Sequence, residues 1–333
     1  MLWCIDHNSF LYSHWPLLRT FITASRSISD REMCTRESLR SEITASLEAL
    51  RTDHADLYML HRDDPRIDVR NFVDWMNELR DDGLIKRWGV SNWSLRRIHE
   101  ACSYALSNDM EPLTATSPQL SLAVPSSDIW PSTYSLSCPS KASEIDWYGQ
   151  NGIEVMGWEA LAKGFMAVPT LWRRHELDFS TFHGPDAEMG TDLWRLQRIQ
   201  RAYCTPGNYV RRDIALKLSK ESGLTLAQIA LLYSLAKGDH VSVLVGADRC
   251  SHLDEMANIR DYALDQEAID CLTAASMKPA VVSRVAEDVA AWQVSDDLSF
   301  RKVGAEVSTE SAEALANAQP FDDNVLQSDL QAA

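Results

Sequence analysis

A chain of 333 residues, 45% of them hydrophobic, can bury a substantial core as one large domain or two small ones. Its formal net charge of -16 argues against nucleic acid or an anionic membrane as a surface partner. No apolar run of about eighteen residues exists, so no transmembrane helix is expected. The opening "MLWCIDHNSFLYSHWPLLRTF" has no basic region ahead of a clean apolar stretch, which makes a poor signal peptide. Seven cysteines are scattered without a CxxC pair or a Cys/His cluster at metal spacing, so neither a disulfide frame nor a metal site is expected. Free thiols suit a reducing, cytoplasmic setting.

Thr35 can cap a helix whose apolar residues Leu39, Ile43, Leu47 and Leu50 fall at helical spacing. "ADLYML" follows as a short buried strand, ending at His61 and the polar run Arg62, Asp63, Asp64. Phe72, Met76 and Leu79 repeat the helical period up to Gly83, a good residue for a helix end. "IKRWGV" (Ile85 to Val90) is the next strand, and Leu95, Ile98, Cys102 and Ala105 mark another amphipathic helix. "LTATSPQ" (Leu113 to Gln119) is a weaker strand and "IEVMGW" (Ile153 to Trp158) a strong one. Val210, Ile214 and Leu218 form a helical face that stops at Gly223, and Thr225 caps a helix through "LAQIALLYSLA". "VSVLVGA" (Val241 to Ala247) is a strand, with a helix near His252 to Ile259.

Alternation of strand and helix implies parallel strands joined by right-handed crossovers, an α/β fold. The choice lies between a doubly wound sheet and a (β/α)8 barrel of the TIM type. No GxGxxG follows a strand, which lowers the dinucleotide-binding doubly wound reading. In a barrel, function sits at the strand C-termini. Here His61, Ser91-Asn92, Gln119 and Trp158 stand at four such ends in succession.

In order, "SLEALRTDHADLYMLHR", "DGLIKRWGVSNWS", "SPQLSLA", "IEVMGWEALAKGF" and "GLTLAQIALLYSLAKG...VSVLVGA" resemble the successive motifs of the aldo-keto reductases, from about Phe21 to Leu272. The resemblance implies a (β/α)8 barrel that binds NADP(H) and reduces an aldehyde or ketone, or oxidises the alcohol. His61 resembles the family's active-site histidine. Ser91 and Asn92 resemble the pair that hydrogen-bonds the nicotinamide carboxamide, with Gln119 as its third partner. Trp158 stands where the family has an aromatic ring stacked on the nicotinamide. Gly246, Ala247, Arg249 and His252 fall in the loop and helix that grip the adenine end. That stretch, "GADRCSHLDEM", departs from the common "GARTPEQLEEN" type. Asp248 stands for an arginine, His252 for a glutamine and Met256 for an asparagine, which bears on the choice between NADP and NAD.

The family also carries two strand-helix units ahead of a lysine-bearing third strand, with an aspartate and a catalytic tyrosine after the second. "FITAS" (Phe21 to Ser25) resembles that third strand, with Ser25 at the lysine position. The 20 residues before Phe21 are too few for two units of about thirty residues each. Asp6 and Tyr12 lie near one another, but their spacing does not fit. The expected architecture is therefore an N-terminally incomplete barrel of about six βα units. It comprises an atypical segment at 1–20, the barrel domain at 21–276 and an acidic, partly disordered extension at 277–333. Six units cannot close an eight-stranded barrel. Another segment fills the gap, or the chain forms a homo-oligomer through the open edge, or a longer gene product has lost its start.

Taken singly, each residue has a plainer explanation. His61 could bond a neighbouring carbonyl, Ser91-Asn92 could cap the helix that begins after Trp93, and Trp158 could be core. The ordered set favours an oxidoreductase acting on a small-molecule carbonyl, in detoxification or natural-product metabolism. The alternative is a catalytically impaired nucleotide-binding relative or a truncated product. Substrate choice is expected from the insertions Ala123 to Tyr148 and Phe165 to Asn208.

Overall fold

The computed structural model describes residues 2–5, 21–23, 34–128, 130, 132–167, 192–246, 250–275, 292–294 and 300–302. Seven strands make one sheet. These are β1 (Leu2–Ile5), β2 (Phe21–Thr23), β3 (Ala55–Leu60), β4 (Ile85–Ser91), β5 (Ala115–Ser117), β6 (Glu154–Gly157) and β7 (Val241–Gly246), in the spatial order β1-β7-β6-β5-β4-β3-β2. From β2 to β7 every neighbouring pair is parallel. β1 lies antiparallel on β7, with Leu2 opposite Gly246. Helices α1 (Arg36–Leu50), α2 (Val69–Asp81), α3 (Leu95–Ser107) and α4 (Ala142–Gln150) make the first four crossovers, and α5 (Asp192–Tyr203), α6 (Pro206–Ser222) and α7 (Leu226–Leu235) make the fifth. α8 (Cys250–Ala257) and α9 (Gln266–Ala274) follow β7. The result is an incomplete (β/α)8 barrel, a curled parallel sheet with helices outside it.

Strand residues alternate between two burial environments, as the pleat requires. In β3, Tyr58 and Leu60 pack outward into a core shared with α1 to α4, which includes Leu39, Phe72, Trp88 and Ile98. Leu57 and Met59 turn to the other face and meet Ala115, Met156 and Leu244 in a small inner cluster. Both faces are covered, so "ADLYML" is buried throughout, with no polar alternation. A third cluster holds α6, α7 and α9 together with Ala160, Phe165 and Met166.

Helix ends match the expected signals. Thr35 caps α1 and Thr225 caps α7, each in a reciprocal capping box, with Ser38 and Gln228 respectively. Gly223 ends α6 at φ 78. The cap of α3 is Ser94, whose side chain accepts from Arg97 N. Ser91 and Asn92 are thereby free of the capping role that their residue types allowed.

Outside the acidic extension, β1, α4, α5 and α9 lie beyond the sequence expectations. The expected strand at Leu113 to Gln119 is shorter, Ala115–Ser117, with Gln119 joined to Ser135 and Trp158 by isolated bridges. Within the acidic extension, β8 (Trp292–Val294) and β9 (Phe300–Lys302) form an antiparallel hairpin beside α6 and α9. Asp6, Tyr12, Ser25 and most of 1–20 and 277–333 lie outside the described residues. β2 has no partner on its outer side among the described residues. No helix there is long and apolar enough to cross a membrane.

Candidate functional site at the C-terminal rim

Because β3 to β7 are parallel and adjacent, the residues that follow them share one rim. His61 follows β3, Ser91 ends β4 with Asn92 beyond it, Gln119 lies two residues past β5, Trp158 follows β6 and Gly246 ends β7.

Hydrogen bonds tie these ends together. Ser91 Oγ donates to Ser117 O at 2.7 Å, and Asn92 N donates to the same carbonyl at 3.2 Å. Asn92 Nδ2 donates to Ser91 Oγ at 2.9 Å and to the carbonyl of His61 at 3.5 Å. Asn92 sits in the left-handed region, φ 61, a conformation that asparagine tolerates better than most residues. That turn lets its amide reach β3 on one side while Oδ1 accepts from Tyr134 N at 3.2 Å on the other. Trp158 N donates to Pro118 O at 3.0 Å, carrying the chain of contacts across to β6.

Gln119 is buried, and its amide is fully occupied. Nε2 donates to Ser121 Oγ at 2.9 Å and to Tyr203 OH at 3.3 Å. Oε1 accepts from Ser135 Oγ at 2.5 Å and from Ser137 Oγ at 2.8 Å. A primary amide has two N–H groups and two lone pairs, so none remains for another molecule in this arrangement. Tyr203 OH in turn donates to Glu159 Oε1 at 2.8 Å.

His61 is exposed at the rim, and its ring has no hydrogen-bond partner among the described residues. Partial loss of water around the ring, with the Arg62 guanidinium alongside, lowers its pKa below the ordinary imidazole value. The ring is therefore neutral at neutral pH, with one N–H to donate. Its loop is held from outside: Arg97 grips Asp63 with Nε at 3.0 Å and Nη2 at 2.9 Å and reaches Ile67 O at 3.0 Å. Arg62 Nη1 donates to Ser132 O at 3.0 Å, which draws the Ala123 to Tyr148 insertion over this rim.

The Trp158 indole packs on Leu57, Met59, Ala115, Met156 and Leu244, and its buried Nε1 has no partner among the described residues. After it the backbone is strained: Glu159, Ala162 and Lys163 have φ of 60, 49 and 53, each a conformation costing about 1 kcal/mol or more in a residue with a Cβ. The Glu159 carboxyl is 3% exposed, with Lys163 Nζ at 3.5 Å from Oε2. Burial raises its pKa, opposed by Lys163 and by the Tyr203 hydrogen bond. Sequence reasoning missed Glu159, Tyr203 and the three serines. The one local signal was a carboxylate placed in an otherwise apolar "WEALAKGF".

At the β7 end, a Cβ built on Gly246 would meet nothing within 4 Å among the described residues. His252 is exposed on the first turn of α8. Ala247 and Arg249, with Asp248, lie outside the described residues. The structure thus connects Ser91, Asn92, Gln119, Trp158 and the His61 backbone, and no described contact joins Gly246 or His252 to them.

A family model described as the aldo/keto reductase family matches residues 29–276. An Arabidopsis thaliana protein described as a probable voltage-gated potassium channel subunit beta is 25% identical over 221 residues, 63% of this chain. The match spans 58% of that relative's length. Aldo-keto reductase YhdN of Bacillus subtilis is 34% identical over 77 residues, 23% of each chain. Among solved structures, the thermostable aldo-keto reductase Tm1743 superposes with a TM-score of 0.50 at 21% identity, covering 77% of this chain and 69% of that one. That likeness concerns the fold.

Proposed function

The chain belongs to the aldo/keto reductase family, and on that premise we propose that it is an NADP(H)-dependent oxidoreductase that reduces an aldehyde or ketone, or oxidises the corresponding alcohol. The observation that carries this reading is the placement of His61, Ser91-Asn92, Gln119 and Trp158 at the C-terminal ends of four consecutive parallel strands, the face on which barrel enzymes build their sites.

The residues present fit a pyridine nucleotide at three points. Trp158 offers an indole on the inner cluster, with an unpartnered Nε1. Asn92 Oδ1 accepts one described bond and has a second lone pair. No described residue crowds the Cβ side of Gly246, which leaves the backbone there approachable from the described part of the chain. Ser91 and Asn92 would hold the carboxamide, Trp158 would lie against the ring, and the stretch from Gly246 to His252, with Ala247 and Arg249, would take the adenine end. Gln119 fits differently from its motif, as a buried support for the rim. The nucleotide supplies the hydride.

The protein's share is binding, orientation and charge. Hydride addition leaves negative charge on the carbonyl oxygen. The neutral His61 ring, its pKa lowered, would hydrogen-bond that oxygen through one N–H, and the proton that completes the alcohol would come from solvent at the open rim. The Arg97–Asp63 clamp holds the loop that carries it. Titrating the protein with NADPH and following fluorescence tests the binding half. A saturable change is expected, and its absence removes the reading. Loss of NADPH absorbance with a panel of aromatic and aliphatic aldehydes tests turnover. Binding without any turnover across the panel would instead support a nucleotide-binding relative that lacks catalysis.

A further inference from the structure

The hydrogen-bonded chain behind the rim has a direction. Glu159 Oε1 is acceptor only when ionised, so Tyr203 must spend its single hydroxyl proton there. Tyr203 OH can then only accept from Gln119, which obliges the amide to present Nε2 at 3.3 Å. The other end of the amide consequently faces the Ser135 and Ser137 hydroxyls. Those serines belong to the segment whose neighbours Tyr134 and Leu136 bond the Gln119 backbone at 2.8 Å each. Tyr134 N also donates to Asn92 Oδ1. One carboxylate thus fixes, through two buried side chains, the orientation of an amide that holds the loop bonded to Asn92.

We propose that Glu159 and Tyr203 are positioning residues: the ionised Glu159 carboxylate, acting through the Tyr203 hydroxyl, sets which end of the Gln119 amide faces the Ser135–Ser137 loop, and thereby the grip of Asn92 on bound nucleotide. This rests on the nucleotide-binding reading above. A protonated Glu159 becomes a donor, Tyr203 OH can then donate to Gln119 Oε1, and the amide turns over. The groups facing Glu159 are Lys163 on its own segment and Tyr203 from α5. Both stay in place during this exchange, and only protons and the amide move. The buried position of the carboxyl, which raises its pKa, brings the exchange closer to neutrality than an exposed glutamate would allow.

The test uses full-length protein labelled with 15N at glutamine, in which the Gln119 side-chain amide is identified by its loss in Gln119→Glu. In the wild type the amide signals should shift with pH, with a midpoint above the ordinary glutamate value. NADPH affinity should fall about fivefold across the same window, the worth of one ordinary hydrogen bond. In Glu159→Gln and Tyr203→Phe both profiles should be flat, and Glu159→Asp should restore a titration. Should Glu159→Gln fail to fold, Tyr203→Phe and Glu159→Asp decide. An amide that does not titrate in the wild type, or that titrates equally in Glu159→Gln, overturns the proposal. So does a titrating amide with pH-independent NADPH affinity. Absence of NADPH binding at every pH removes the functional reading instead, and the amide profiles still decide the relay.

Discussion

At the scale of single residues, His61 and Glu159 are two ionisable groups of this rim whose surroundings shift them in opposite directions. If His61 donates to the developing oxyanion as proposed, replacing it by alanine should lower turnover about a hundredfold. NADPH affinity, measured by fluorescence titration, should change less than about twofold, because Ser91 and Asn92 remain. The lowered pKa of the imidazole means that the rate should be flat through neutrality and change only on the acid side of the ordinary histidine value. For Glu159 the linkage runs the other way. Between the ordinary value of 4.5 and its raised value, the folded chain keeps a proton that the unfolded chain has released. Its contribution is therefore most favourable below 4.5 and declines as pH rises through that window. Urea midpoints of Glu159→Gln, relative to wild type, should rise with pH across it. His61 stands out at the end of "ADLYML" and Glu159 only as a carboxylate in an apolar stretch, while the partners of Glu159 carry no mark in the sequence. Gln119 stands out in "SPQLSLA", but Tyr203 lies 84 residues away, and serines in a loop carry no signal of their own.

At the scale of elements, the sequence spoke clearly wherever burial was uniform or a cap was present. "ADLYML" and "VSVLVG" are mostly apolar because both sheet faces are covered, with Asp56 and Ser242 as buried exceptions. α7 is buried on every side, so periodicity could not have bounded it, yet Thr225 marked its start. Thr225→Ala should lower stability by about 1 kcal/mol in chemical denaturation. α4 was missed because "ASEIDWYGQ" buries only Ile145 and Tyr148, too few to show a period. β1, four residues long, was missed because it adds to the sheet in the opposite direction, which no βα pattern announces. Close approach of β4 and β5 depends on Gly89, where an added Cβ would lie 2.6 Å from the Ala115 carbonyl. Gly89→Ala should destabilise by about 1–3 kcal/mol. It should also weaken NADPH binding, since Ser91 and Asn92 reach Ser117 across the same pair of strands.

For the whole molecule, six parallel strands with outer helices form most of a barrel, an architecture expected from the alternation of elements together with the resemblance of the ordered motifs. What it left open was how the incomplete sheet ends. The answer on the β7 side is a reversed strand, β1, in place of a further βα unit. Nucleotide bound at the rim would touch β4, β6 and β7 together, so occupancy should stabilise the sheet as a unit. At NADPH a hundredfold above its dissociation constant, the gain should be about 2.7 kcal/mol, read as a concentration-dependent rise in melting temperature. The β1 register has a practical corollary for anyone handling this protein. Leu2 lies opposite Gly246, so if the adenine half of a dinucleotide binds beside Gly246 as proposed, a bulky group attached at Leu2 would crowd its approach. A purification handle belongs at the other terminus, and a cleavable leader left in place should read as spuriously poor affinity.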